Sequence, residues 1–397
     1  MNAVGIESLA FHTSAYYLPL ATLAETRGVS PDKYRLGLGQ DQMAVPPPDE
    51  DVVTLGTSAA ARALAHVDSD ELDWLLFATE SGIDQSKAAG LYVHRLLELP
   101  AACRVMELKQ ACYSGTGALQ LAAAWVQQNP GRKVLIVAAD IARYGLFTPG
   151  EPTQGCGAVA MVVSQQPTVL ALESGSGAYA QDIMDFWRPN YRDEALVDGQ
   201  FSTRMYIQTL VEAWRDYTRR TGRSLESHDR FCYHLPFTRL AGKAHSRLVH
   251  AVSAPLTSAE ANHQIADSLH YNRQCGNSYT ASLYIGLCSL LDHSALDLSD
   301  KRIGFFSYGS GCVAEVFSGR VAPEYKQALH TQAHQTLLQE RQELTYDEYV
   351  EFYQHRLPQD GGLHRLPQFR TGPYRLAGTQ QHQRIYEVRD DYRAGPG

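Results

Sequence analysis

Short apolar runs alternate with longer amphipathic segments along the chain, which is typical of a layered α/β protein. Runs of strand length predict strands over residues 74–79, 104–109, 134–139, 158–163, 169–173, 231–234, 302–308 and 313–318. Apolar residues at helical spacing predict helices over 54–65, 87–97, 116–127, 205–221, 239–252 and 281–291. The order of these elements favours an α/β fold built from two halves.

A break between the halves is predicted near residues 164–167, where polar residues and Pro167 separate two apolar runs. We therefore expect an N-terminal half over 1–166 and a C-terminal half over 167–397. Residues 325–353 are polar with a helical pattern, and we expect them to form a helical appendage on the surface.

The segment between Lys109 and Arg132 contains no charged residue, so its helix is expected to lie in the centre of the protein. Cys112 comes just before that helix, in a turn with small residues that leave room for a substrate. A helix N-terminus favours a thiolate and offers free amides to an oxyanion. A nucleophilic cysteine and an ordinary core cysteine remain equally good interpretations of this turn.

Other polar residues follow predicted strands. His234 ends an apolar segment and could pair with a cysteine, or simply end its strand. Glu80 and Asp140 each close an apolar strand, where partial desolvation raises the pKa of a carboxyl group and suits it to proton transfer. Position alone does not rank these two. The glycine turn at 305–311 is either a ligand-facing loop or an ordinary turn.

Composition narrows the classes of function. Hydrophobic residues make up 44% of the chain, enough for a large core, and 35 basic against 43 acidic residues give a net charge of −8. That charge argues against nucleic acid as a partner, and no run is apolar enough for a membrane span. The seven cysteines lack metal-site spacing, and no export signal is visible, so we expect reduced thiols in the cytoplasm.

Known enzyme motifs are also missing: the sequence has no HExxH, GxSxG, GxGxxG or phosphate-binding P-loop. Metal, nicotinamide and nucleotide chemistry therefore lose support, and we expect no cofactor.

Seven motifs in order along the chain resemble the 3-hydroxy-3-methylglutaryl-CoA (HMG-CoA) synthase family of the thiolase superfamily. They are Glu80-Ser-Gly, Met106-Glu-Leu-Lys-Gln-Ala-Cys-Tyr, Glu151-Pro-Thr-Gln-Gly, Asp185-Phe-Trp-Arg-Pro, Phe231-Cys-Tyr-His-Leu-Pro-Phe-Thr, Cys275-Gly-Asn-Ser-Tyr-Thr and Phe306-Ser-Tyr-Gly-Ser-Gly. The resemblance implies a thiolase-like five-layered αβαβα sandwich of two similar halves, normally a homodimer.

The resemblance also implies residue roles. Cys112 would be the acetylated nucleophile, Glu80 the acid/base, and His234 the residue that positions the acceptor acyl chain. The implied substrate-binding residues are Tyr144, Pro152, Thr153, Lys243, Asn277 and Ser307. Asn277 would bind the acceptor carbonyl, and Ser307 would lie beside the oxyanion site.

Within the family, residues 41–50, 107–116 and 272–279 are most similar to the branch from polyketide gene clusters. Those enzymes add a carboxymethyl branch at the β-ketone of a carrier-protein-bound chain, with acetyl supplied by a donor acyl carrier protein. Carrier proteins are acidic, so we expect a basic docking face. The candidates are Arg204, Arg239, Lys243 and Arg247.

Three alternatives stay open. The first is the primary-metabolism enzyme, which uses acetyl-CoA and acetoacetyl-CoA. The second is a ketosynthase or thiolase with Cys312 as base, which the retained Glu80 disfavours. The third is an inactive carrier-protein docking subunit, which the intact set of candidate residues disfavours.

Overall fold

The structure, a computed structural model, describes residues 3–393. Its strands are β1 Gly5–His12, β2 Tyr16–Pro19, β3 Gln42–Ala44, β4 Leu72–Ala78, β5 Arg104–Leu108, β6 Lys133–Ala142, β7 Gly155–Ser164, β8 Leu170–Leu172, β9 Gly177–Ala180, β10 Phe186–Trp187, β11 Leu196–Val197, β12 Arg230–Tyr233, β13 Arg302–Gly309, β14 Val313–Val321, β15 Gln342–Glu343, β16 His364–Arg365, β17 Tyr374–Gln380 and β18 Gln383–Val388. Its α-helices are α1 Leu20–Thr26, α2 Asp32–Arg35, α3 Val52–Ala63, α4 Gly90–Leu96, α5 Ser114–Gln128, α6 Gly199–Thr221, α7 Thr238–Ala251, α8 Ser258–Ile265, α9 His270–Cys275, α10 Ser282–His293, α11 Thr331–Gln339, α12 Tyr346–Gln354 and α13 Asp390–Arg393. Each predicted strand and helix overlaps one of these elements.

One ten-stranded sheet joins the two halves of the molecule. Its strand order is β12-β13-β14-β8-β1-β7-β6-β4-β5, with β9 paired to β14. Strand β1 pairs antiparallel with β7 on one side and with β8 on the other. The sequence analysis missed β1, because Glu7 and Ser8 interrupt its apolar run.

Helices cover both faces of this sheet because its side chains alternate between two apolar environments. In the first half, Leu75 and Phe77 pack with α3 and α4, whereas Leu76 packs with α5 and α10. In the second half, Phe305 faces the same central helices, whereas Phe306 packs with α6 and α7. The two halves of the sheet thus form two layers with the central helices between them. Each layer also carries outer helices on its other face, which confirms the five-layered sandwich.

The central helix layer differs from our expectation for α5. This helix buries Ala118, Leu119, Ala122 and Val126, but Leu121 is 52% exposed. The absence of charged residues therefore does not mean that α5 is buried on every side. The helix exposes one apolar stripe at the surface. Its partner α10 is buried from Ser282 to Leu291.

Residues 325–353 contain the predicted helices and lie at the surface, but they pack onto the N-terminal half by one face and do not stand apart as an appendage. Strand β15 pairs with β2 near the N-terminus. Tyr349 and Tyr353 of α12 are buried against an apolar cluster that includes Leu18 and Leu20. The pattern misled us because tyrosines count as polar, although their rings bury a large apolar area and only the hydroxyl needs a partner.

Candidate active site

Cys112 lies in the turn between β5 and α5. Ala111 before it has a positive φ of 44°. Two glycines allow close approach to this turn: a Cβ on Gly115 would lie 2.8 Å from the carbonyl oxygen of Thr280, and one on Gly309 would lie 2.5 Å from that of Gln110. The turn therefore packs tightly against the segment before α10 and the end of β13.

The thiol of Cys112 contacts the carboxyl group of Glu80, with Sγ 3.0 Å from Oε1. Burial, followed by the charge of Glu80, raises the pKa of the Cys112 thiol well above its ordinary value. Burial and the charge of Asp140 raise the pKa of Glu80 to about 8. The structure thus places a protonated thiol beside a carboxyl group that can exchange protons near neutral pH.

This differs from the thiolate that the helix N-terminus led us to expect. The Tyr113 amide donates to the carbonyl of Gln110, and the Ser114 amide donates to that of Ala111. These amides are therefore engaged within the turn, and desolvation outweighs the helix dipole at the sulfur.

Asp140 holds the Glu80 turn in place and is itself buried. Its Oδ1 accepts hydrogen bonds from the Thr79 hydroxyl and from the amides of Glu80 and Ser81. Its Oδ2 accepts from the amide and hydroxyl of Thr280. Because both oxygens are occupied, Asp140 positions the turn, and Glu80 is the carboxyl group that faces the sulfur.

His234 follows β12 and is buried at the end of the second half's sheet. Its amide donates to Phe306, the residue before Ser307, and its carbonyl accepts from the Tyr206 hydroxyl at 2.6 Å. Among the described atoms its ring Nδ1 has no hydrogen-bond partner, and burial lowers the pKa of the imidazole to about 3. The ring is therefore neutral and has a free polar atom.

Asn277 and Tyr144 form a second polar pair. Asn277 Nδ2 donates to the Tyr144 hydroxyl at 3.1 Å, and the Asn277 amide donates to the carbonyl of Thr153. Pro152 is buried beside Thr153 in the turn Glu151–Thr153. Burial, followed by the charges of Cys112 and Glu80, raises the pKa of Tyr144.

The structure also shows site residues that the sequence analysis did not name. The rings of Phe186, Tyr144 and Tyr279 pack edge to face, with centroids 5.7 to 6.1 Å apart. Arg188, two residues after Phe186, donates to the main-chain carbonyl of Glu80. Phe186 and Arg188 belong to a quoted motif, and Tyr279 follows Asn277 in another, so the motifs were the available signal.

Two candidates lie outside this cluster. Lys243 is exposed on α7, together with Arg239 and Arg247. Cys312 is buried in the apolar cluster of the outer α6–α7 layer, and its amide donates to Gln181. Glu80, and not Cys312, thus contacts the Cys112 thiol, which disfavours the thiolase-type alternative.

Within residues 3–393, no set of three or more His, Cys, Asp or Glu side chains is arranged to hold a metal ion. No helix in that range combines the length and the apolar character needed to cross a bilayer.

Comparison with known proteins identifies the family. The hydroxymethylglutaryl-coenzyme A synthase N-terminal family model matches residues 1–168, and the corresponding C-terminal model matches 170–255 and 249–360. The chain belongs to the HMG-CoA synthase family. It is therefore a member of a family of enzymes that form carbon–carbon bonds.

Individual relatives cover nearly the whole chain. A hydroxymethylglutaryl-CoA synthase from Enterococcus faecalis is 42% identical over 90% of this chain and 93% of its own. The polyketide biosynthesis 3-hydroxy-3-methylglutaryl-ACP synthase PksG from Bacillus subtilis is 33% identical over 88% of this chain and 87% of its own. A crystal structure of an HMG-CoA synthase complexed with CoA superposes with a TM-score of 0.91 at 38% identity, covering 98% of this chain and 100% of the other.

Proposed function

We propose that this HMG-CoA synthase family member joins an acetyl group to the β-ketone of a second thioester through an acetyl-Cys112 intermediate. The observation that carries the proposal is the 3.0 Å contact between the Cys112 thiol and Glu80. Tyr144, to which Asn277 donates a hydrogen bond, lies within electrostatic range of both groups. A buried thiol paired with a carboxyl group that titrates near neutral pH suits covalent catalysis followed by proton abstraction.

The proposed reaction has three chemical steps. Cys112 sulfur attacks the carbonyl of an acetyl thioester; the carrier thiol leaves and takes up the thiol proton. Glu80 removes a proton from the acetyl methyl, and the resulting enolate carbon bonds to the acceptor's β-carbonyl carbon, whose oxygen takes up the proton held by Glu80 and becomes a hydroxyl. Water then cleaves the acyl–sulfur bond and gives a 3-hydroxy-3-carboxymethyl thioester and the free thiol.

We assign binding of the acceptor thioester to His234 and Asn277. The free Nδ1 of His234 and the side-chain amide of Asn277 offer polar contacts to a carbonyl group in a buried site. The neutral imidazole can hydrogen-bond a thioester or ketone oxygen. Ser307 follows the residue that His234 contacts, so it borders the same space.

Glu80→Ala tests this division of roles. Loading of Cys112 should persist, because the charge of Glu80 raises the pKa of the thiol and its removal makes the thiolate easier to form. Condensation should fall by at least about 100-fold, because the variant lacks the carboxyl group that contacts the Cys112 sulfur. Intact-protein mass spectrometry measures loading, and release of the carrier thiol in the presence of acceptor measures turnover. Normal condensation by this variant would refute the role of Glu80.

Coenzyme A is the acyl carrier that the comparisons favour. Identity is 42% to a hydroxymethylglutaryl-CoA synthase against 33% to an ACP synthase, over similar shares of the chain. The first proposal is therefore condensation of acetyl-CoA with acetoacetyl-CoA.

Acyl carrier proteins are the second candidate, supported by the polyketide-type motifs and by the surface of α7. This helix exposes Arg239, Lys243 and Arg247 at four-residue spacing, and its sequence contains no carboxylate. Such a face attracts either the phosphates of CoA or an acidic carrier protein. The polyketide β-branching role with donor and acceptor carrier proteins rests on this observation.

Loading rates from acetyl-CoA and from an acetylated carrier protein decide between these candidates. Loading at least tenfold faster from CoA supports the first, and the reverse supports the second. Lys243→Glu should slow loading from the preferred carrier through a higher KM with little change in kcat, since the side chain is exposed and lies outside the Cys112 cluster. Asp182→Lys serves as the control, because it changes the net charge by the same amount in the opposite direction at an exposed residue.

A homodimer is proposed from the exposed apolar edge of the first half. Met106 on the edge strand β5 is 42% exposed, and Leu121 on the neighbouring helix α5 is 52% exposed. Light scattering should give about twice the chain mass of 44.0 kDa, and Met106→Glu should shift the protein towards monomer. A monomer in the parent protein would refute the proposal.

A further inference from the structure

Charged side chains bind both the main-chain amide and the main-chain carbonyl of Glu80, the candidate base. The amide of Glu80 donates to Asp140 Oδ1 at 2.9 Å, and its carbonyl accepts from Arg188 Nη2. Asp140 belongs to β6 in the first half, whereas Arg188 follows β10 in the second half. The position of Glu80 therefore depends on one residue from each half of the molecule.

The segment that carries Arg188 is itself firmly anchored. Asp185, buried just before β10, accepts hydrogen bonds from the Tyr308 hydroxyl at 2.6 Å and from the Gly311 amide at 2.9 Å. The next residue, Phe186, packs its ring against Tyr144 and Tyr279. These contacts hold the segment that carries Arg188 beside the site.

Arg188 also has the opposite charge to its neighbours in the site. Four other titratable side chains lie within electrostatic range of Glu80, and each is neutral or negative: Cys112 before α5, Asp140 on β6, Tyr144 after β6 and Tyr279 before α10. Burial and the charge of Asp140 favour the protonated carboxyl group, whereas the hydrogen bond from Cys112 and the charge of Arg188 oppose protonation. A carboxyl group that stays protonated cannot remove a methyl proton.

We propose that Arg188 is a positioning residue for Glu80, which holds its peptide carbonyl and stabilises the ionised form of its carboxyl group for proton abstraction. This inference rests on the proposed function, in which Glu80 is the base of the condensation step. It assigns to the loop after β10 a role in setting the pH range of the reaction.

The pH profile of condensation tests the inference with matched variants. Arg188→Gln and Arg188→Met remove the charge, Arg188→Lys retains it, and Arg192→Gln makes the same charge change at an exposed residue of the same loop. The neutral variants lose a cation that stabilises the ionised Glu80 carboxylate. The inflection of the pH–rate curve should therefore rise by about one pH unit. The neutral variants should thus condense about tenfold more slowly than the parent at pH 7 and approach it above pH 9.

Arg188→Lys and Arg192→Gln should keep the parent inflection. An equal loss of rate at every pH in the neutral variants would overturn the inference and indicate a purely structural role. So would an Arg188→Lys profile that matches Arg188→Gln, or failure of both neutral variants to fold while Arg192→Gln folds normally. If the parent neither loads acetyl nor condenses, the proposed function fails instead, and the two failures are distinguishable.

Discussion

Replacement of Glu80 by glutamine should make the protein more stable while it stops condensation. The pKa of Glu80 is raised from an ordinary 4.5 to about 8, chiefly by burial. The folded protein therefore holds a proton that the unfolded chain releases between these two pH values. Its contribution to stability is fully present below about pH 4.5 and is lost progressively as pH rises through 8.

The magnitude follows from the same values. A rise from 4.5 to about 8 corresponds to about 5 kcal/mol of lost stability above pH 8. Cys112 and Asp140 readjust when the charge is removed, so we expect Glu80→Gln to recover about half of this, roughly 2 to 3 kcal/mol. Glutamine is isosteric and can still accept the hydrogen bond from the Cys112 thiol.

Thermal unfolding of parent and variant at pH 5, 7 and 9 measures this effect. For a chain of 397 residues, we expect a higher Tm by roughly 2 to 4 °C at pH 9 and by less than about 1 °C at pH 5. Glu25→Gln, at an exposed glutamate of α1, is the matched control and should change Tm little at any pH. A variant that is no more stable than the parent at pH 9, or a difference that does not grow with pH, would refute the reasoning.

Three further predictions concern neighbouring groups. The rate of condensation should rise with pH to an inflection near 8 and be about thirtyfold lower at pH 6.5 than at its plateau, because Glu80 must be ionised to act; a flat kcat profile from pH 6 to 9 would contradict this. Asp140→Asn should destabilise the protein by about 3 kcal/mol, since an amide cannot accept all five hydrogen bonds, whereas exposed Asp182→Asn should be neutral in denaturant unfolding. His234→Gln should load acetyl normally but raise the KM for the acceptor at least tenfold; an unchanged KM would remove His234 from the acceptor site.

Regular elements of the fold were predictable because their cores have simple periodicity. The alternation of Leu75, Leu76 and Phe77 requires apolar cover on both faces, and that requirement alone leads to stacked layers. Strand β1 was not predicted because its apolar run is interrupted, although the strand lies at the centre of the sheet. The burial of Tyr349 and Tyr353 depends on partners more than 100 residues away, which a local pattern does not contain.

The candidate site was likewise predictable only in so far as its features depend on local sequence. The turn chemistry around Cys112 and the strand-end position of Glu80 indicated the two reacting groups, but local sequence described Glu80 and Asp140 identically. Only the tertiary contacts separate them, because Asp140 is saturated by donors and Glu80 faces the sulfur. The raised pKa of the thiol likewise depends on burial by distant segments, so the helix N-terminus alone led to the wrong direction.

Peptide mapping of the acetylated protein tests the central claim most directly. After brief incubation with acetyl-CoA and acid quench, the account predicts a gain of about 42 Da, one acetyl group, confined to the peptide that contains Cys112 and absent from Cys112→Ala. An acetyl group on any other residue, or the same gain in Cys112→Ala, would contradict the assignment of Cys112 as the nucleophile.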